Sequence, residues 1–291
     1  MIQQTEWNLI NKALFFEWWQ IRNMTDRTNQ PTEIVDPPVS QAPRYSIVLP
    51  VYNESAMIGD FCRQAVAQLP PNYELLVCYY MDEDSTLPSL EALPAAEKPT
   101  TIRTIKNDLG PGVRYAIEAG MRSARAPVIV VMMADLSDDF SCVEQLVTLA
   151  GNGAAVVAAS RCMRGGKQQG GPWLKGFLSR MAGLSLYWIS GLPTHDPTNS
   201  FKAYRRDFLD NTPIESTAGF CLALELTVKS HFRNLRVTEI PAVWIDRTAG
   251  TSRFRLWGWL PHYLYWYFWA LNQRCRTLFR RTSRSQPRSH R

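Results

Sequence analysis

The chain has 291 residues, 45% of them hydrophobic and 20% charged, which excludes a disordered protein and leaves a globular one with a sizeable core. Its net charge of +6 points to an anionic partner: nucleic acid, an anionic membrane or a phosphorylated substrate. Six cysteines (Cys62, Cys78, Cys142, Cys162, Cys221 and Cys275) have no paired spacing, which argues against zinc ribbons and disulfide frameworks.

Residues 1–25 predict an amphipathic helix, because Trp7, Ile10, Leu14, Trp18 and Ile21 recur every three or four positions. Glu6, Lys12 and Glu17 interrupt the apolar run that a signal peptide would need. Residues 26–43 are polar and proline-rich and read as a linker. Beyond them, apolar runs at 45–51, 74–79, 101–105, 128–133 and 154–160 predict strands, and 56–68, 111–124 and 140–150 carry helical periodicity. Continuous apolar strands separated by helices predict βαβ units and a mostly parallel sheet. On such sheets ligands collect beyond the carboxyl ends of the strands, so the residues there are the first candidates.

The first strand ends in Pro50-Val51-Tyr52-Asn53-Glu54, which offers acceptors for a base or ribose or an ordinary capped turn. The second ends in Met81-Asp82-Glu83-Asp84, a solvated acidic turn or a ribose site. After the 128–133 strand, Asp135 is a hard oxygen ligand suited to Mg²⁺ or Mn²⁺ beside a diphosphate. Asp138 and Asp139 fit an N-cap cluster for the helix that follows. Ser160-Arg161-Cys162-Met163-Arg164-Gly165-Gly166 combines arginines that suit phosphate with glycines that admit a ligand closely. Asp196 precedes Pro197 as a turn residue or a carboxylate base, and His195 reads as a loop histidine without a chemical role. Arg247 and Arg253 flank Gly250 in a loop able to close over a pyrophosphate.

Nine of the 33 aromatics fall between Phe254 and Trp269, as at a membrane–water boundary. The uncharged stretch 256–273 barely matches a ~30 Å hydrocarbon layer at ~1.5 Å per residue, so an interfacial helix is expected rather than a span. Packing on the domain or in a dimer is the other reading. Seven arginines between 274 and 291 exceed the whole net charge of +6, leaving −1 for residues 1–273. The anionic partner of that tail is therefore expected to be a membrane surface, and with no recognition motif beside the arginines no nucleic acid is expected.

The ordered succession SIVLPVYNE (46–54), KNDLGPGVRYAIEAG (106–120), VVMMADLSDD (130–139), ASRCMRGG (159–166), DPTNSFKAYRR (196–206) and IDRTAGTSRF (245–254) resembles the family 2 glycosyltransferases, in the branch of dolichol-phosphate mannose synthase and bacterial polyprenyl-phosphate glycosyltransferases. The resemblance implies a GT-A (Rossmann-like) α/β domain over 44–254. Residues 1–43 and 255–291 add amphipathic aromatic helices at either end. It implies inverting transfer from a GDP- or UDP-linked nucleotide sugar to a polyprenyl phosphate, with Mg²⁺ or Mn²⁺, by a peripheral or monotopic protein on the cytoplasmic face of the membrane. A glycan hydroxyl in polysaccharide synthesis is the alternative acceptor, and a non-catalytic scaffold the alternative role. By position, Pro50, Tyr52, Glu54, Asp82, Ala134, Asp135, Arg161, Arg247 and Arg253 would bind the donor. Asp135, Asp196 and Arg253 would be catalytic and Asp135 the metal ligand. Met133 stands where the family's D-x-D element has its first carboxylate, which implies weaker metal binding by the protein itself.

Overall fold

The computed structural model describes residues 42–171, 173–246 and 256–284. The expected N-terminal helix, the start of the linker and the Arg247/Arg253 loop lie outside them. Strands β1 (Tyr45–Pro50), β2 (Tyr73–Tyr79), β3 (Ile102–Lys106), β4 (Val128–Val131) and β5 (Val156–Ser160) lie within two residues of the five apolar runs at every end. Between them run α1 (Ile58–Gln68), α2 (Thr86–Glu91), α3 (Val113–Ser123) and α4 (Val143–Gly151). Pro111, expected inside the first turn of α3, stands before it. The turn into the helix is instead made by Gly112 at φ 108°, a conformation that costs glycine nothing.

The rest of the described chain comprises β6 (Lys167–Gln169), α5 (Trp173–Ser185) continued by a π-helical turn (Leu186–Ser190), β7 (Lys202–Arg205), α6 (Arg206–Asp210), α7 (Cys221–Phe232), β8 (Val237–Pro241), β9 (Val243–Ile245) and α8 (Leu256–Arg284). The main sheet has the order β3-β2-β1-β4-β7-β5-β8, and β6 pairs with β9 beside it. All neighbours in the main sheet are parallel except β7, which runs antiparallel to both β4 and β5. This is the α/β, GT-A-type architecture expected from the resemblance.

Period-two alternation divides β1 between two cores. Ile47 and Leu49 join Ile58 and Phe61 of α1 and Leu146 of α4 on one face. Val48 joins Ile117 of α3 and Leu226 of α7 on the other. Helix α3 lies against the sheet at Gly120, where a Cβ would sit 2.5 Å from Val48 Cγ1. A third cluster packs α8 onto α7 and the π-helical turn through Trp266, Ala270, Leu224, Val228 and Leu186. Among the described residues, no helix is long and apolar enough to cross a membrane.

Candidate active site

The β1 and β2 ends are laced together. Asn53 takes a left-handed conformation at φ 55°, which asparagine tolerates better than most residues. Its backbone N–H donates to Asp84 Oδ1 at 3.0 Å, and its own Oδ1 accepts the Ser85 N–H at 3.0 Å. Asp84 Oδ1 also accepts the Thr86 N–H and hydroxyl, while Thr86 Oγ1 accepts the Glu54 N–H at 2.9 Å. The turn that carries Tyr52 and Glu54 is thus held by Asp84, which is buried. Asp82, the acid expected to meet the nucleoside, is at the rim with its carboxylate paired to Lys106. Asp84 was not singled out from sequence, although an acid followed by Ser-Thr at a helix start is the pattern of a side-chain-capped turn.

At the β4 end, Asp135 Oδ1 accepts the Ser137 N–H at 3.2 Å, and Leu136 is forced to φ 60°, a conformation a bulky residue rarely adopts. Of the two acids expected as caps, only Asp139 is one, its Oδ1 accepting the Ser141 N–H at the turn into α4. Asp138 points inward instead: it is buried and its Oδ2 accepts the Met133 N–H at 2.9 Å. Burial, reinforced by the charge of Asp135, pushes its carboxyl up to about 7. Among the described residues no three His, Cys, Asp or Glu converge as a metal cage. A single exposed-side carboxylate suits a divalent cation that takes most of its oxygen ligands from a diphosphate.

Beyond β5, Arg161 and Asp196 find each other across 35 positions. Arg161 Nε donates to Asp196 Oδ2 at 2.7 Å, Nη2 to Oδ1 at 2.9 Å, and the Arg161 N–H to Oδ2 at 3.1 Å. Asp196 is 0% exposed and the Arg161 side chain 11%. Burial alone would raise the Asp196 carboxyl, but Arg161's charge and hydrogen bonds more than reverse this and hold it below the usual range. The carboxylate expected as a base therefore has both oxygens on Arg161, and the arginine expected on phosphate or sugar has two of its nitrogens on Asp196. His195, expected to be idle, pairs Nδ1 with Glu239 Oε1 and stacks on Tyr187 with ring centroids 4.0 Å apart.

Between β6 and α5 lies a cleft of about 520 Å³ lined by Arg161, Cys162, Lys167, Trp173, Phe177 and Arg180. Among the described residues, the side chains of Lys167 and Arg180 make no hydrogen bond or ion pair. Along α5, Trp173, Phe177 and Met181 recur at four-residue spacing and face outward, and Trp188 and Ile189 of the π-helical turn continue the exposed apolar surface. Helix α5 seats directly on the Asp196 loop, since a Cβ on Gly183 would lie 2.1 Å from the His195 carbonyl oxygen.

Of the expected residues, Arg161 and Asp196 meet directly, and the charges of Asp135 and Arg161 both act on the buried Asp138 carboxyl. Comparison with known proteins bears on the family and the fold. The glycosyl transferase family 2 profile matches residues 46–212. The chain is 26% identical to dolichol-phosphate mannosyltransferase of Pyrococcus furiosus over 217 residues, covering 73% of this chain and 59% of that protein. It is 27% identical to polyprenol monophosphomannose synthase of Mycolicibacterium smegmatis over 216 residues, 72% of this chain and 80% of that one. Among solved structures, glucosyl-3-phosphoglycerate synthase from Mycobacterium tuberculosis, in complex with Mn²⁺, UDP and glucosyl-3-phosphoglycerate, superposes with a TM-score of 0.57 at 19% identity, covering 80% of each chain.

Proposed function

We propose, for a chain that belongs to glycosyl transferase family 2, that it carries a sugar from a nucleoside diphosphate to the phosphate of a membrane-borne polyprenyl chain. The observation that carries this reading is the cleft beside Arg161, which joins Lys167 and Arg180, two cations with no ion pair among the described residues, to an outward stripe of large apolar side chains on α5. A phosphate with a hydrocarbon tail uses both features, whereas a glycan hydroxyl uses neither. The names of the archaeal and mycobacterial relatives, which refer to dolichol phosphate and polyprenol, support the same acceptor class.

In this reading Pro50, Tyr52, Glu54, Asp82 and Ala134 line the nucleoside diphosphate, and Arg247 and Arg253 close on its phosphates. Asp135 holds Mg²⁺ or Mn²⁺, which neutralises charge on the departing diphosphate when bound; the solved neighbour with Mn²⁺ and UDP supports that choice. An acceptor phosphate oxygen bonds to the anomeric carbon as the sugar–diphosphate bond breaks, with inversion, and the nucleoside diphosphate leaves. The nucleophile is already an anion, so no side chain need take its proton. Asp196 then serves by orienting Arg161 beside the cleft rather than as a base. Peripheral contact with the cytoplasmic face of the membrane is made through 255–291, where Tyr265 and Phe268 project from α8 ahead of the arginine tail and Phe279 projects within it.

The test is transfer from GDP- and UDP-linked sugars, with Mg²⁺ or Mn²⁺, to a short polyprenyl phosphate and to free glycans. A lipid-linked sugar of inverted anomeric configuration is expected. Transfer to glycans alone, or no donor turnover at all, overturns the reading.

A further inference from the structure

Lys202 opens β7 in the interior of the sheet, opposite Val131 of β4 and Ala158 of β5, and is 0% exposed. An ammonium with three donors has to spend all of them when it cannot reach water. Its Nζ donates to the carbonyl oxygens of Pro197 at 3.1 Å, Asp196 at 3.3 Å and Asn199. All three acceptors belong to one loop. The ends of that loop are held by others: Glu239 accepts the His195 N–H at 2.8 Å and the Thr194 hydroxyl at 3.1 Å, and Asn199 Nδ2 donates to the Ala159 carbonyl at 2.8 Å. Among the described residues, only Lys202 ties the Asp196 and Pro197 carbonyls, directly behind the carboxylate that grips Arg161. Filling the sheet would need nothing more than an aliphatic side chain, like those facing it on β4 and β5. The charged end is costly there, since burial draws its pKa down to about 7 against the pull of Asp196.

We propose that Lys202 is a positioning residue for sugar transfer: it sets the backbone of 196–199 so that Asp196 presents both oxygens to Arg161 at the mouth of the cleft. The inference rests on the reading of Arg161 as part of the transfer site.

The experiment uses the full chain with Lys202→Met, which keeps the length and loses every donor, Lys202→Gln, which keeps two N–H donors, Asp196→Asn and the double variant Lys202→Met/Asp196→Asn. Hydrogen exchange of the amides of residues 195, 196, 198 and 199 should quicken at least tenfold in Lys202→Met while α7 exchanges as in the parent chain, and this readout stands even where no lipid phosphate is glycosylated. With the donor and acceptor that the parent chain turns over, kcat should fall about 100-fold, the loss typical of a ~1 Å misplacement, with donor Kd within twofold. Lys202→Gln should recover part of that loss, and it carries the comparison where Lys202→Met does not fold. The double variant should lose no more than the worse single one. Unchanged exchange at those amides, unchanged kcat, or losses that multiply in the double variant would each overturn the proposal.

Discussion

Replacing Asp196 with asparagine keeps the shape of a buried side chain and removes the negative half of its pair. The two contacts with the Arg161 guanidinium, at 2.7 and 2.9 Å, correspond to about 6 kcal/mol of attraction at an effective dielectric near 20. Most of this offsets the cost of bringing both charges out of water, so the pair as a whole contributes little net stability. Removing one partner is different, because it leaves the guanidinium buried without its counter-charge, at a cost of about 3–5 kcal/mol. The asparagine amide also turns an N–H toward an arginine donor. At roughly 2–4 °C per kcal/mol for a domain of this size, Asp196→Asn should melt about 6–20 °C below the parent chain at pH 7. The sign of the pH dependence follows from the direction of the shift. The folded carboxyl titrates below its unfolded counterpart, so the contribution of the pair is present above the unfolded pKa and lost as pH falls through the folded value. The two melting curves should therefore converge in acid. Calorimetric melts of both proteins from pH 3 to 8, with turnover measured at pH 7, read out the effect. An asparagine variant that melts with the parent chain and yet loses turnover would refute the reasoning, since that is how a base behaves and not a support for Arg161.

Gly183→Ala would place a methyl 2.1 Å from the His195 carbonyl oxygen, and overpacking of this kind should cost about 1–3 kcal/mol, seen as a lower denaturation midpoint with an unchanged m-value. Asp138 has the opposite pH dependence to Asp196: the raised carboxyl makes the parent chain lose stability as pH rises from about 4 to about 7. The Asp138→Asn variant, in which the side-chain carbonyl still accepts the Met133 N–H, should lack that slope in urea titrations; parallel pH profiles would be the contrary result. Met133→Asp adds a second carboxylate two positions before Asp135, and Mn²⁺ affinity in the presence of nucleoside diphosphate should rise about tenfold by paramagnetic resonance titration, with no change counting against Asp135 as a metal ligand. The triple substitution Tyr265→Ser, Phe268→Ser, Phe279→Ser spares Trp266 and Ala270, which are buried. It should cut flotation with phosphatidylglycerol vesicles at least tenfold, and equal flotation would remove α8 from the membrane contact.

Strands β1, β2, β4 and β5 were legible because apolar runs such as VIVV at Val128–Val131 are buried on both faces, and burial on both faces leaves a local, continuous signal; β3, IRTIK and half exposed, carries a weaker one. The order of the short motifs likewise located the ends of β1, β2, β4 and β5, where the site forms. Strand β7 was not legible: KAYR at Lys202–Arg205 carries two cations, and only its antiparallel insertion between β4 and β5 makes it interior. Neighbouring acids of the same type also parted ways in a manner no pattern records. Asp139 caps a turn while Asp138 is buried beneath Met133, and Asp84 holds a turn from inside while Asp82 pairs with Lys106 at the surface. By itself, then, the sequence determined the βαβ framework, the positions of the loops and the chemical types gathered on them. Tertiary structure decided which charges are spent on one another: Asp196 on Arg161, Lys202 on the loop carbonyls, and Lys167 and Arg180 on nothing among the described residues. Apolar periodicity is a property of neighbouring residues, whereas a charge can be buried only against a partner, and that partner comes from wherever the topology returns the chain.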